Sequence, residues 1–335
     1  MISALWILTA NSFMQEPVGY ALRNGRAEMV DFFALLGNPQ LWYEFPHVLF
    51  GALLTGSFFV AGISAFKLLR KQQVHLFKSS FQIAIVVGLV SSILVALAGH
   101  SQAQHLMETQ PMKMAASEAQ WETSGESAPW TLFAVIDTDE HKNSGALEIP
   151  HLFSILAYNK INGVVPGIHQ LQAEYEAKYG PGNYIPPVKT TFWSFRIMVF
   201  AGGIMILMAL YGTIMTMRNK LEGRRIFLKM MPWAIALPYI ANTTGWIMTE
   251  VGRQPWIVFG LQKTPDGVSP TVSTGMVWSS FLGFTLVYGI LAIVLVYLFI
   301  ISIRKGPDMG GHGDSSAREP MLYDNQDGKG AEVHA

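Results

Sequence analysis

An all-α, polytopic transmembrane helical bundle with a long extracytoplasmic loop is the fold class this sequence predicts, and three observations predict it. Only 14% of the 335 residues are charged and 50% are hydrophobic, against ~25% charged in an average soluble protein. Several stretches of about twenty residues carry no charge, the length that crosses a ~30 Å hydrocarbon core. Lys and Arg gather in short connectors between those stretches, as they do in cytoplasmic loops. The formal net charge is zero and there is no cysteine. Bulk charge therefore says nothing about nucleic acid, which is not among the expected partners, and the lack of cysteine excludes thiolate metal sites, iron–sulfur clusters and C-x-x-C-H haem attachment. Any metal must rely on His, Met, Glu, Asp or Tyr. The 17 methionines read mostly as packing residues.

Residues 1–10, MISALWILTA, are apolar but reach only about half the hydrocarbon thickness at ~1.5 Å per residue. They read as the outer half of a helix whose beginning is missing. A polar segment, 11–46, follows. Charge-free spans are then predicted at 48–66, 81–99, 197–217 and 230–249, with a last span at about 275–303. Residues 100–190 are polar and form the long loop. The expected units are 1–99 (partial first helix, outer segment and two spans), 100–190 (outer loop), 191–303 (three spans) and 304–335 (a disordered cytoplasmic tail). Basic clusters at Lys67–Lys78, Arg218–Lys229 and Arg304–Lys305 fall on one side if every span crosses once, and that side is the cytoplasm. The loop, with 10 acids against five Lys or Arg, is then outside.

Polar residues at one depth near the outer face suggest a shared partner, since a charge at mid-membrane costs at least ~2.5–3.5 kcal/mol. His47 and Met198, an imidazole and a thioether on different helices, suit a six-coordinate low-spin haem. Spacing alone fits equally an interfacial histidine after Pro46 and a packing methionine. Arg196, two residues before Met198, suits a haem propionate. In GWIMTEVGRQPW (245–256), Trp246 and Glu250 stack at i and i+4. Glu250 suits a high-spin haem or a non-haem metal, and Arg253 an anionic group or Glu250 itself. The competing reading is an aromatic belt with an interfacial ion pair. Gly252 and Pro255 end that helix. In MKMAASEAQWET (112–123), Lys113 and Glu118 together suit a polar ring substrate, Glu118 as acceptor of quinol protons. That segment reads equally as a solvated amphipathic helix. Asn11, Gln15 and Glu16 read as polar caps at a helix end. Histidines 75, 100, 105, 141, 151 and 169 are scattered in connectors. No H-E-x-x-H, P-loop or dinucleotide fingerprint occurs.

FPHVLFGALLTGSFFVAG, MKMAASEAQWET, FRIMV and GWIMTEVGRQPW, in this order, resemble subunit I of the cytochrome bd-type quinol oxidases. The resemblance runs to about residue 303, is loose between about 123 and 190, and GRQPW is its most specific string. It implies a membrane enzyme that oxidises ubiquinol or menaquinol and reduces dioxygen to water without pumping protons. It implies His47 and Met198 as ligands of a low-spin haem b, with Arg196 beside it, and Glu250 as ligand of a high-spin haem b. Trp246 is implied in the electron path, Arg253 as the arginine of GRQPW, and Lys113 and Glu118 in quinol oxidation. A third haem (d or another), a second membrane subunit and a small accessory subunit complete the implied assembly in the bacterial cytoplasmic membrane. The family's upstream helices and their ligands find no match here, so this chain alone is expected not to hold haem d or reduce oxygen. The alternative from a different class is a haem-free transporter or membrane scaffold.

Overall fold

The computed structural model of the chain describes residues 2–305; of the expected tail, residues 306–335 lie outside the described residues. Helix α1 (Ile2–Gln15) leads to a hairpin of β1 (Tyr20–Arg23) and β2 (Arg26–Met29), then to short α2 (Phe32–Leu36). Two long helices follow, α3 (Pro39–Leu69) and α4 (Val74–Thr109), then α5 (Pro111–Ser117). The loop folds into a hairpin of β3 (Trp130–Asp137) and β4 (Lys142–Ile149), then α6 (Leu152–Tyr158) and α7 (Ile168–Tyr179). Helices α8 (Val188–Met217), α9 (Arg225–Ala234) and α10 (Ala236–Val251) return through the bundle, and β5 (Trp256–Val258) pairs with β6 (Gln262–Lys263). Beyond Ser269 a second unit carries α11 (Thr274–Lys305). Its 32 residues hold no charge before Arg304 and Lys305, and at 1.5 Å per residue they extend ~48 Å.

The molecule is mainly helical, and α3, α4, α8 and α11 are long and apolar enough to cross a membrane. The structure departs from the expected boundaries in four places. The first helix runs to Gln15 rather than stopping at residue 10. Helix α3 starts at Pro39, nine positions before the expected 48, because Asn38 caps it (Oδ1 accepts from the Gln40 amide at 2.9 Å) and Pro39 suits the first turn. Helix α4 continues past residue 99 to Thr109. The span expected at 230–249 is divided at Ile235 into α9 and α10. Pro238 has no N–H to give the carbonyl of Ala234, so the ladder breaks there. The three hairpins are β structure in a chain read as all-α. They are local, two-stranded and confined to the polar segments between spans.

Small residues set the helix spacing. A Cβ added at Gly212 on α8 would stand 2.7 Å from Ile85 Cγ1 on α4. One added at Gly62 on α3 would stand 2.4 Å from Ile235 Cγ1 and 2.9 Å from the Met231 carbonyl. Such close approach is how membrane helices gain packing where lipid offers no hydrophobic contrast. Around these contacts Phe58, Phe81, Ile85, Met205, Ala209 and Met231 form one apolar core. Gly62→Ala drives a methyl into the α9–α10 junction, and overpacking of this kind costs about 1–3 kcal/mol. A lowered unfolding temperature in detergent is the expected readout, and an unchanged one would contradict this packing.

Lys78 at the start of α4 pairs with Glu222 in the α8–α9 connector at 2.8 Å. Two of the three basic clusters therefore share one end of the bundle. The opposite end gathers the C-termini of α1, α4 and α10, the start of α8 and all of α5, and it holds the polar residues described next.

Candidate functional site

Four helices direct polar side chains into one buried network at this end. Helix α1 presents Asn11, Ser12 and Gln15 at one-turn spacing. Asn11 Nδ2 donates to Glu250 Oε1 at 2.8 Å, and Ser12 Oγ donates to Glu44 Oε2 at 3.2 Å. Gln15 Oε1 accepts from both Gln110 Nε2, at 3.0 Å, and Lys113 Nζ. Arg253 Nη2 donates to Glu250 Oε2. Lys113 passes over Gly252, where an added Cβ would stand 2.8 Å from its Cγ. Glycine at the C-cap of α10 thus makes room for the lysine as well as ending the helix.

Lys113 is 3% exposed. Burial pulls its ammonium from the ordinary 10.5 down to about 7; the Arg253 charge adds to the fall, and Glu44 and Glu250 oppose it. A half-protonated amine at neutral pH, held beside two carboxylates and a guanidinium, is a group suited to moving protons. Above it Gln110, Arg253 and Trp256 meet Tyr184 and Phe259 around a narrow cavity. Arg253 Nε and Nη1, Gln110 Oε1 and Trp256 Nε1 are buried there without a hydrogen-bond partner. Orphaned buried donors are costly and concentrate where something else binds.

A second constellation is separate. Arg196, wholly buried, grips Glu118 through both terminal nitrogens and donates from Nε to the Thr131 carbonyl at 2.6 Å. Its guanidinium lies over the rings of Trp130, Phe192 and Phe195, at 4.8, 4.6 and 5.2 Å. Burial outweighs the pull of Arg196 and holds the Glu118 carboxyl above its ordinary value. Lys113 and Glu118 therefore leave α5 toward different partners, Lys113 toward α1 and α10 and Glu118 toward α8. Arg196, expected to face an anionic cofactor group, spends three donors on Glu118 and Thr131.

His47 and Met198 lie on α3 and α8. The His47 ring rests on Gly99 of α4, where an added Cβ would stand 3.0 Å from Cε1, with the backbone of Val95 beside it. The Met198 Sδ rests on Gly245 of α10, 2.9 Å from an added Cβ. Helix α10 is also the neighbour of the His47 face of α3. Gly51, one turn below His47, faces Asn242 Oδ1, and Asn242 Nδ2 donates to Thr55 Oγ1 at 3.2 Å. His47, Gly51 and Thr55 form one i, i+4, i+8 stripe, and Gly245 stands three residues from Asn242. The imidazole and the thioether are donors of the kind a low-spin haem takes, and the unpartnered nitrogens of Arg253 suit an anionic group. Trp246 and Glu250 share the partly exposed face of α10.

Sequence reasoning missed Glu44, Ser12 and Gln110, and it took Asn11 and Gln15 for caps. Glu44 is only 4% exposed and stands one turn before His47. It passed unnoticed because the helix was expected to start after it; a carboxylate one turn from a candidate ligand was the available signal. Glu16 pairs with His105 at 2.8 Å, and the His105 ring stacks on Tyr43 at 4.6 Å. No group of three or more His, Asp or Glu side chains suited to a metal ion occurs among the described residues.

A family model described as cytochrome bd terminal oxidase subunit I matches residues 1–307. The cytochrome bd ubiquinol oxidase subunit 1 of Bacillus subtilis is 58% identical over 314 residues, which cover 94% of this chain and 67% of that protein. The cytochrome bd-II ubiquinol oxidase subunit 1 of Escherichia coli is 32% identical over 364 residues, covering 91% and 71%. The solved bd oxidase from Geobacillus thermodenitrificans superposes with a TM-score of 0.80 at 31% identity, covering 91% of this chain and 67% of its own.

Proposed function

We propose, because this chain belongs to the cytochrome bd terminal oxidase subunit I family, that its two polar constellations hold haem and oxidise quinol in a membrane-bound quinol oxidase. The enzyme class follows from the family, as do haem cofactors, the quinol and oxygen substrates, a second membrane subunit and a multi-pass bacterial membrane location. The transporter or scaffold alternative finds no support in these relatives. Our reading goes further in assigning residues. His47 and Met198 ligate a low-spin haem b, and Glu250 ligates a high-spin haem b. Arg253 meets propionate or other anionic charge, Arg196 lies beside the first haem, and Trp246 lies between haems. A third haem, d or another, completes the set and has no residue of this chain assigned to it. The basic end is cytoplasmic, the 100–190 segment is outside, and a small accessory subunit completes the complex.

Haem, when bound, supplies the one-electron relay by which two quinols reduce one dioxygen to two waters. The chain's own residues manage position and protons. The observation that carries the quinol assignment is the convergence of Lys113 from α5, Glu44 from α3, and Glu250 and Arg253 from the end of α10, beside α1. The neutral Lys113 amine accepts a quinol proton, and the Gln15 side-chain carbonyl that it faces holds the resulting ammonium in place. Glu118, clamped by Arg196, caps the end of α5 and offers a second proton acceptor, a carboxylate. Glu44, through Ser12, ties α3 and its ligand His47 to the same network.

The test is a pH profile of quinol oxidation by the purified complex. kcat/KM should rise as pH passes about 7, where Lys113 loses its proton, and Lys113→Met should lower the rate and flatten that limb. A limb that persists unchanged in Lys113→Met would remove the lysine from the proton step. Stability follows the same group with a definite sign. Between about 7 and 10.5 the unfolded chain binds a proton that the folded chain does not, so the burial cost is full below about 7 and folding gains as pH rises through that window.

A further inference from the structure

At the basic end, α8 and α9 diverge and leave a groove of about 660 Å³, within the range of small-molecule sites. Its walls are apolar: Leu207 and Tyr211 from α8, Phe227 and Met230 from α9. Its rim carries Arg224 and Arg225. Both are exposed, and neither has a carboxylate partner among the described residues. Glu222, two residues before Arg224, is engaged by Lys78 at 2.8 Å. Helix α9, ten residues long, starts at this rim with no acidic residue in its first turn and no side-chain cap, so its free N–H groups add to the positive field. Trp233 on α9 is 83% exposed, so the helix carries apolar surface well beyond the groove.

We propose that this groove binds one anionic phospholipid, its phosphate held by Arg224, Arg225 and the start of α9, and one acyl chain laid along Leu207 and over the Tyr211 and Phe227 rings, which pack edge to face at 4.9 Å. An apolar groove rimmed by two arginines without carboxylate partners among the described residues matches an amphiphile with a negative head. Zwitterionic lipid would leave the two arginines partly uncompensated, and inorganic phosphate would leave the trough unfilled. Basic pockets between membrane helices recognise anionic head groups on these grounds. The inference requires only that the chain be membrane-embedded and is independent of the haem and quinol assignments.

Delipidated complex titrated with phosphatidylglycerol or phosphatidylcholine, followed by native mass spectrometry, tests it. One phosphatidylglycerol should bind at least roughly tenfold more tightly than phosphatidylcholine, from two cations acting near the head group. Arg224→Gln/Arg225→Gln should erase that preference, and Leu207→Trp, which fills the trough, should weaken phosphatidylglycerol retention with both arginines intact. Equal binding of the two lipids, or displacement of the lipid by inorganic phosphate alone, would overturn the proposal. So would a photo-crosslinker at Tyr211 that captures polypeptide instead of lipid.

Discussion

Arg196→Leu is expected to cost the fold about 3–5 kcal/mol, the range for removing one partner of a buried ion pair. The replaced guanidinium is fully buried, holds both oxygens of Glu118, satisfies the Thr131 carbonyl and lies over three aromatic rings. Its loss strands the Glu118 carboxylate in an apolar pocket between α5, β3 and α8, and the group must then protonate or admit water. Arg196→Leu/Glu118→Leu should recover much of the loss, because no uncompensated charge remains. That non-additivity separates the pair from two independent packing residues. Unfolding of the complex in detergent checks all three variants. A single variant as stable as wild type, or strictly additive effects, would show that the pair does not hold the loop to α8. Quinol affinity should fall in each variant.

The second large effect is spectroscopic. His47→Ala and Met198→Leu should each abolish the reduced α-band of a low-spin haem b while the protein still assembles in the membrane. Gly245→Ala gives a finer test, since its methyl would stand 2.9 Å from Met198 Sδ. The thioether must then move off its position, and a shifted or weakened band is expected without any change at a ligand. Glu250→Gln should leave this band in place and remove the high-spin b signal. If the low-spin band survives both His47→Ala and Met198→Leu, the assignment of that haem to α3 and α8 fails. The Lys113 pH profile would still stand or fall by itself.

The apolar spans, the connector charges and the GRQPW string were legible in the sequence because each is local. A run of uncharged residues or a short motif carries its meaning without knowledge of its neighbours in space. The end of α10 was legible on the same grounds, since glycine and proline act on their own backbone. The helix starts were less so: Asn38 and Pro39 launch α3 ahead of its charge-free stretch, and Pro238 divides a span that hydropathy reads as one.

By itself, then, the sequence determined that this chain is a membrane bundle and which side chains were candidates for its chemistry. Only the tertiary structure decided who meets whom. It sent Glu118 to Arg196 across 78 residues and Asn11 to Glu250 across 239, parted Lys113 from Glu118, and drew Glu44 into the network unannounced. The physical reason is that hydropathy fixes where a helix lies along the membrane normal, whereas its partners depend on its rotation about its own axis, and that rotation is set by glycine contacts and close packing between helices distant in the chain.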